Sequence, residues 1–87
     1  MEVQLTDKAV KQLEKIAVDN KADAARIVEK TGGFAGNPRR KHDVKKLKGQ
    51  FEELFRLRVG DYRVIFTIQE DIMIVVGIKR RQGAYND

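Results

Sequence analysis

Eighty-seven residues can enclose one small core and not two, so a single domain over 1–87 is expected; with no cysteine, disulfides, thiolate metal sites and thiol nucleophiles are excluded. The longest apolar run, 72–78, is far short of the roughly 20 residues that a membrane helix needs. The formal charge of +5 is concentrated: 1–38 carry six cationic and six anionic residues, 64–87 three of each, and 39–63 nine against four. Such a block points to an anionic partner such as nucleic acid, or to a solvated face.

The N-terminus MEVQLTDKAV has no basic start followed by an apolar stretch, so it does not read as a secretory signal, and a cytoplasmic location is expected. Residues 3–5 predict a short strand leading to Thr6 as an N-cap. Ala9, Val10, Leu13, Ile16 and Ala17 then recur at helical spacing. Asp19-Asn20 breaks that pattern, and a second helix, with Ala24, Ile27 and Val28 as its apolar stripe, is expected to stop at Gly32-Gly33. A loop follows, GGFAGNPRRKHD, and residues 43–47 predict a short turn before Gly49.

From Phe51 the pattern turns to β, with strands over 51–59, 62–69 and 72–79, and turns at Gly60-Asp61 and Glu70-Asp71. Ile72, Ile74, Val76 and Ile78 alternate with Met73, Val75 and Gly77, so both faces of the last strand are apolar and an interior position is predicted. The order βααβββ defines an α+β domain, two helices on a mostly antiparallel sheet of about four strands.

The stretch LFRLRVGDYRVIF, 54–66, places cations within the sheet. Side chains alternate between faces of a strand, so Phe55, Leu57 and Val59 oppose Arg56 and Arg58, and Tyr62, Val64 and Phe66 oppose Arg63. Folding this stretch as a tight hairpin with its apolar faces together puts all three guanidiniums on one surface.

Common catalytic signatures are missing. TGGFAGNPRRKHD does not fit the phosphate-loop pattern, and the one histidine, His42, cannot form a histidine acid/base pair. Glu52 and Glu53 are neighbours that face opposite ways in a strand, and no ligand cluster supports a metal. No cofactor and no small-molecule substrate are expected.

Leu47-Lys48-Gly49, then LFRLRVGDYRVIF, then VVGIKRRQGAY resemble the RelE/ParE superfamily of bacterial and archaeal toxins from toxin–antitoxin modules, over nearly the whole chain. For RelE-like members the resemblance implies a ribosome-dependent endoribonuclease. It cleaves messenger RNA in the ribosomal A site by attack of a ribose 2′-hydroxyl on the adjacent phosphate. Arg56, Arg58, Arg63, Arg80 and Tyr85 match the family's catalytic positions. The basic residues Arg39, Arg40, Lys41, Lys45, Lys46, Lys48 and Arg81 are candidates for holding RNA or the ribosome. A cognate antitoxin protein is the implied partner, alongside the ribosome and messenger RNA. Lys79-Arg80 stands where many relatives have His-Arg, which leaves open whether Arg80 or Arg81 meets the phosphate. Each residue also has a structural alternative: an ion pair with Asp61 or Glu53 for Arg63, phosphate positioning without chemistry for Arg56 and Arg58, and a ring over the sheet edge for Tyr85. ParE-like inhibition of DNA gyrase and a non-catalytic RNA-binding role, as in a decayed toxin, are the alternative functions.

Overall fold

A computed structural model describes residues 1–48 and 53–81. Strand β1 (Glu2–Leu5) is followed by helices α1 (Asp7–Asp19) and α2 (Lys21–Gly36), then by strands β2 (Val44–Lys46), β3 (Phe55–Val59), β4 (Tyr62–Gln69) and β5 (Ile72–Arg80). The strands form one sheet in the order β1-β5-β4-β3-β2. β1 runs parallel to β5 and the other neighbours are antiparallel. β5 is therefore interior, as its apolar faces require.

The helix boundaries follow from caps. Thr6 Oγ1 accepts the Ala9 N–H at 3.2 Å and opens α1. Asn20 serves both helices: its N–H donates to the Ile16 carbonyl at 2.7 Å, and its Oδ1 accepts from the Asp23 N–H at 3.1 Å. The chain thus reverses in one residue and the helices lie side by side.

Three expectations are corrected. α2 passes through Gly32-Gly33 and ends at Gly36, where the Asn37 N–H donates to the Gly33 and Phe34 carbonyls. Each interior glycine costs about 1 kcal/mol relative to alanine. Burial of Phe34 and Ala35 offsets this, Phe34 packing 5.2 Å from Phe66 between ring centroids. Secondly, residues 44–46 are an edge strand, not part of a turn, so the sheet has five strands among the described residues. With only three residues, two of them lysines, it carries little apolar pattern, and protective lysines are common on edges. Thirdly, β5 does not keep strict alternation, because the register between β4 and β5 shifts at Ile65/Phe66.

The core lies between the helices and one face of the sheet. Ala9, Ile27 and Phe34 from the helices meet Leu57, Val59, Val64, Phe66, Met73, Val75 and Ile78 from the strands. Burying a side chain of Phe66's size stabilises the fold by about 1.5–3 kcal/mol. The Gly60-Asp61 turn between β3 and β4 uses the left-handed conformation, with Gly60 at φ 56°. Between β4 and β5, Glu70 and Asp71 both adopt left-handed φ, 49° and 62°. That geometry matches strand twist but is better suited to Asn-Gly. No helix among the described residues is long and apolar enough to cross a membrane.

Candidate nucleic-acid interface

Directly paired residues of neighbouring strands share a face. Arg58 of β3 pairs with Arg63 of β4, which pairs with Lys79 of β5, so three cations stand in a row across three strands. They occupy the face opposite the helices, because the adjacent Leu57, Val64 and Ile78 are core residues. Like charges directly opposite one another destabilise a sheet. A row of them concentrates positive charge where an anionic ligand would be attracted.

Two members of the row, Arg63 and Lys79, line a groove of about 260 Å³. Ile65, Val76 and Gly77 line it along the sheet, Leu47 and Leu54 bring apolar surface from either side of the β2–β3 connection, and Lys8 reaches it from the start of α1. Apolar surface beside converging cations suits a nucleotide, whose base stacks and whose phosphate is held by charge. A second cavity, of about 180 Å³, opens between β1 and the helices and is lined almost wholly by apolar atoms. Its lining holds one polar side chain, Thr31, and no charged one, among the described residues.

Arg56 departs from the expected surface. It is 6% exposed, and its Nη1 donates to Asp43 Oδ1 at 2.8 Å and to the Asp43 carbonyl at 3.0 Å. The same carbonyl accepts the Arg58 N–H at 2.9 Å, so Asp43 fastens the approach to β2 onto β3. The three guanidiniums do share one face, but Arg56 is buried on it and does not join an exposed cationic surface. Arg58 and Arg63 remain neighbours, while Arg56 is buried against Asp43 as an anchor. The reason is an aspartate 13 positions away, a long-range partner that alternation cannot reveal.

Lys45 pairs with Arg56 and shares its face. Lys46 lies 3.4 Å from Glu53 Oε1 in an exposed pair, the kind that contributes at most about 1 kcal/mol. Arg39, Arg40 and Lys41 are exposed in the connection between α2 and β2, and Lys48 is exposed just beyond β2. Arg80 pairs with Tyr62 and so falls on the face opposite Arg63, at the exposed end of β5. Arg81 is half-buried, and its N–H donates to the Asp61 carbonyl, drawing the end of β5 toward the β3–β4 turn. Tyr85 lies outside the described residues. His42 approaches the Asn37 carbonyl through Nε2 at 2.8 Å and stands edge-on to Phe34 at 5.3 Å, a loop-closing arrangement. The structure thus brings together Arg58 and Arg63 from the sequence-predicted set. It adds Lys79 and Lys8, which periodicity did not mark.

The family model described as the ParE toxin of the type II toxin–antitoxin system parDE matches residues 3–85. The chain belongs to the RelE/ParE superfamily of toxins. A 52-residue stretch is 42% identical to a protein of Methanocaldococcus jannaschii named as the candidate toxin RelE1; it covers 58% of this chain and 57% of that protein, so the match spans little more than half of the relative's length. The RelE–RelB complex of Pyrococcus horikoshii contains a chain 32% identical to this one, with a TM-score of 0.75 and coverage of 95% of this chain and 97% of that chain. The RelBE2 toxin–antitoxin complex of Mycobacterium tuberculosis shares the fold at 24% identity, with a TM-score of 0.75 and coverage of 92% and 96%.

Proposed function

We propose that this toxin is a ribosome-dependent endoribonuclease that holds a messenger phosphate on the row Arg58, Arg63 and Lys79. The observation that carries this reading is the row itself, three like charges set side by side, two of them lining a groove. In the reaction the 2′-oxygen bonds to phosphorus while the bond from phosphorus to the 5′-oxygen breaks. The 2′ proton leaves to a base, and the 5′-oxygen takes up a proton as it departs. The products are a 2′,3′-cyclic phosphate and a 5′-hydroxyl.

The developing negative charge on the phosphorane falls beside Arg63, the middle cation, with Arg58 and Lys79 on either side. Tyr85, with Arg80 or Arg81, is the family-implied contributor to the proton steps and phosphate contact. Because histidine supplies no acid/base pair here, alignment of the RNA has to come largely from the ribosome. The exposed cations Arg39, Arg40, Lys41, Lys45, Lys46 and Lys48 supply sequence-independent contacts to ribosomal RNA. Arg56 serves this site from the same face by fixing β2 and β3 through Asp43.

A cognate antitoxin completes the proposal. The RelE chain from Pyrococcus horikoshii is solved with RelB, and a partner of that kind would cover this basic face with acidic residues. Inhibition of DNA gyrase is the second reading, favoured by the description of the matching family as the ParE toxin. Induction in a bacterial host separates the two readings: codon-phased 5′ ends in messenger support the nuclease, and altered plasmid supercoiling with intact messenger supports gyrase.

A further inference from the structure

β5 carries one residue more than β4 between two successive pairs: Phe66 faces Val75, whereas Ile65 faces Gly77, leaving Val76 as the extra residue. This is a β-bulge, and its effect follows by counting. Continued without it, the register would set Gly77 opposite Val64 in the core, Ile78 opposite Arg63 on the groove face and Lys79 opposite Tyr62. With it, Ile78 is buried against Val64 and Lys79 stands beside Arg63. The third cation of the row depends on the bulge.

Bulges need partners for the backbone groups they leave out of the ladder. β1 ends at Leu5, opposite Val75, so β5 has no neighbouring strand on that side at the bulge. The start of α1 takes over there. The Thr6 N–H donates to the Val75 carbonyl at 3.0 Å, Thr6 Oγ1 lies 3.5 Å from the Val76 carbonyl, and Gln12 Oε1 accepts the Ile78 N–H at 2.7 Å. Thr6 is also the cap of α1, whereas Gln12 lies within the helix, and its bond spans 66 positions to one strand amide.

We propose that Gln12 is a positioning residue: by accepting the Ile78 N–H it holds the β5 bulge in the phase that sets Lys79 beside Arg63 at the RNA groove. This rests on the endoribonuclease reading for its catalytic consequence, and on geometry alone for its structural one. Gln12 touches no substrate. It acts through Lys79, and glutamine suits the task because its side-chain carbonyl oxygen accepts a backbone N–H at this reach.

The test compares the full chain with Gln12→Leu, which keeps size and removes the acceptor, and Gln12→Glu, which keeps an acceptor at the same reach. If Gln12→Leu does not melt cooperatively, Gln12→Asn, one methylene short, replaces it. In Gln12→Leu, exchange of the Ile78 amide is expected to quicken at least about tenfold, and contacts between the Lys79 and Arg63 side chains to weaken in NMR spectra. Single-turnover cleavage on programmed ribosomes should fall about tenfold while the KM for ribosomes stays within about twofold, and Gln12→Glu should recover most of the rate. Wild-type protection of Ile78 in Gln12→Leu, or a wild-type cleavage rate despite the lost protection, overturns the proposal. If the wild-type protein leaves ribosome-bound messenger intact, the endoribonuclease reading fails. Titration with a short RNA oligonucleotide then decides whether Gln12 sets the groove: loss of the Lys79 shift in Gln12→Leu supports the positioning role, and an unchanged shift overturns it.

Discussion

Arg56 and Arg58 are two positions apart on one face of β3, and sequence pattern alone treats them alike. The structure separates them, so their substitutions should behave differently. Arg56 is buried and gives one hydrogen bond to the Asp43 carboxylate and one to its carbonyl. A shielded hydrogen bond to a charged group is worth about 1.5–3 kcal/mol. The Asp43 side chain is 58% exposed and is rehydrated once its partner leaves, so its bond counts toward the lower end of that range or below it. Arg56→Ala is therefore expected to lose at least about 2–3 kcal/mol. For a domain of this size that lowers Tm by about 10–20 °C. Arg58→Ala, whose backbone bond to Asp43 survives, should cost less than about 1 kcal/mol. Thermal melts of Arg56→Ala, Asp43→Ala and the double variant make the cycle complete, with an expected coupling of about 1–2 kcal/mol. If Arg56→Ala melts within about 3 °C of wild type yet loses cleavage, Arg56 acts on RNA and the anchoring role is wrong.

Replacing Lys79 by glutamine should leave stability within about 1 kcal/mol, since it removes a member of a like-charged row, while replacing Arg63 by glutamine should lower single-turnover cleavage on ribosomes about 10²–10³-fold. The combined change Glu70→Asn and Asp71→Gly relieves two left-handed residues and should raise stability by about 1 kcal/mol, read as an increase in Tm with unchanged cleavage. Purified messenger without ribosomes should be cut slowly or not at all, and efficient multiple-turnover hydrolysis would contradict the positioning role given to the ribosome. Association with the antitoxin should slow as salt rises and in a variant with Arg80 and Arg81 neutralised, with dissociation changing less, which stopped-flow mixing at two ionic strengths can measure.

Much of the fold was legible because local chemistry and tertiary packing agree. Thr6 and the Asp19-Asn20 break predicted the helix boundaries that the caps confirm, and Gly60-Asp61 predicted a turn that needs a left-handed residue. The misses share one cause, contacts distant in sequence. Phe34 draws α2 past two glycines because it has Phe66 to pack against. β2 is a strand because β3 offers it a ladder, not because its residues favour one. At the candidate site, alternation along β3 and β4 found Arg58 and Arg63 but could not see that Asp43 buries Arg56. It also missed Lys79, because a bulge changes the phase of the strand without leaving a mark such as glycine at Val76. Lys8 carried no signal at all, since a lysine at the start of an amphipathic helix is most often a solvated residue.

The central claim is that the row Arg58, Arg63 and Lys79 carries messenger cleavage. It is tested most directly by inducing wild type and Arg63→Gln in a bacterial host and mapping messenger 5′ ends across the transcriptome. The account predicts codon-phased 5′-hydroxyl ends within translated regions for wild type, and their loss in Arg63→Gln at equal levels of folded protein. Growth arrest by wild type with no new messenger ends, or phased ends that persist undiminished in Arg63→Gln, would contradict it.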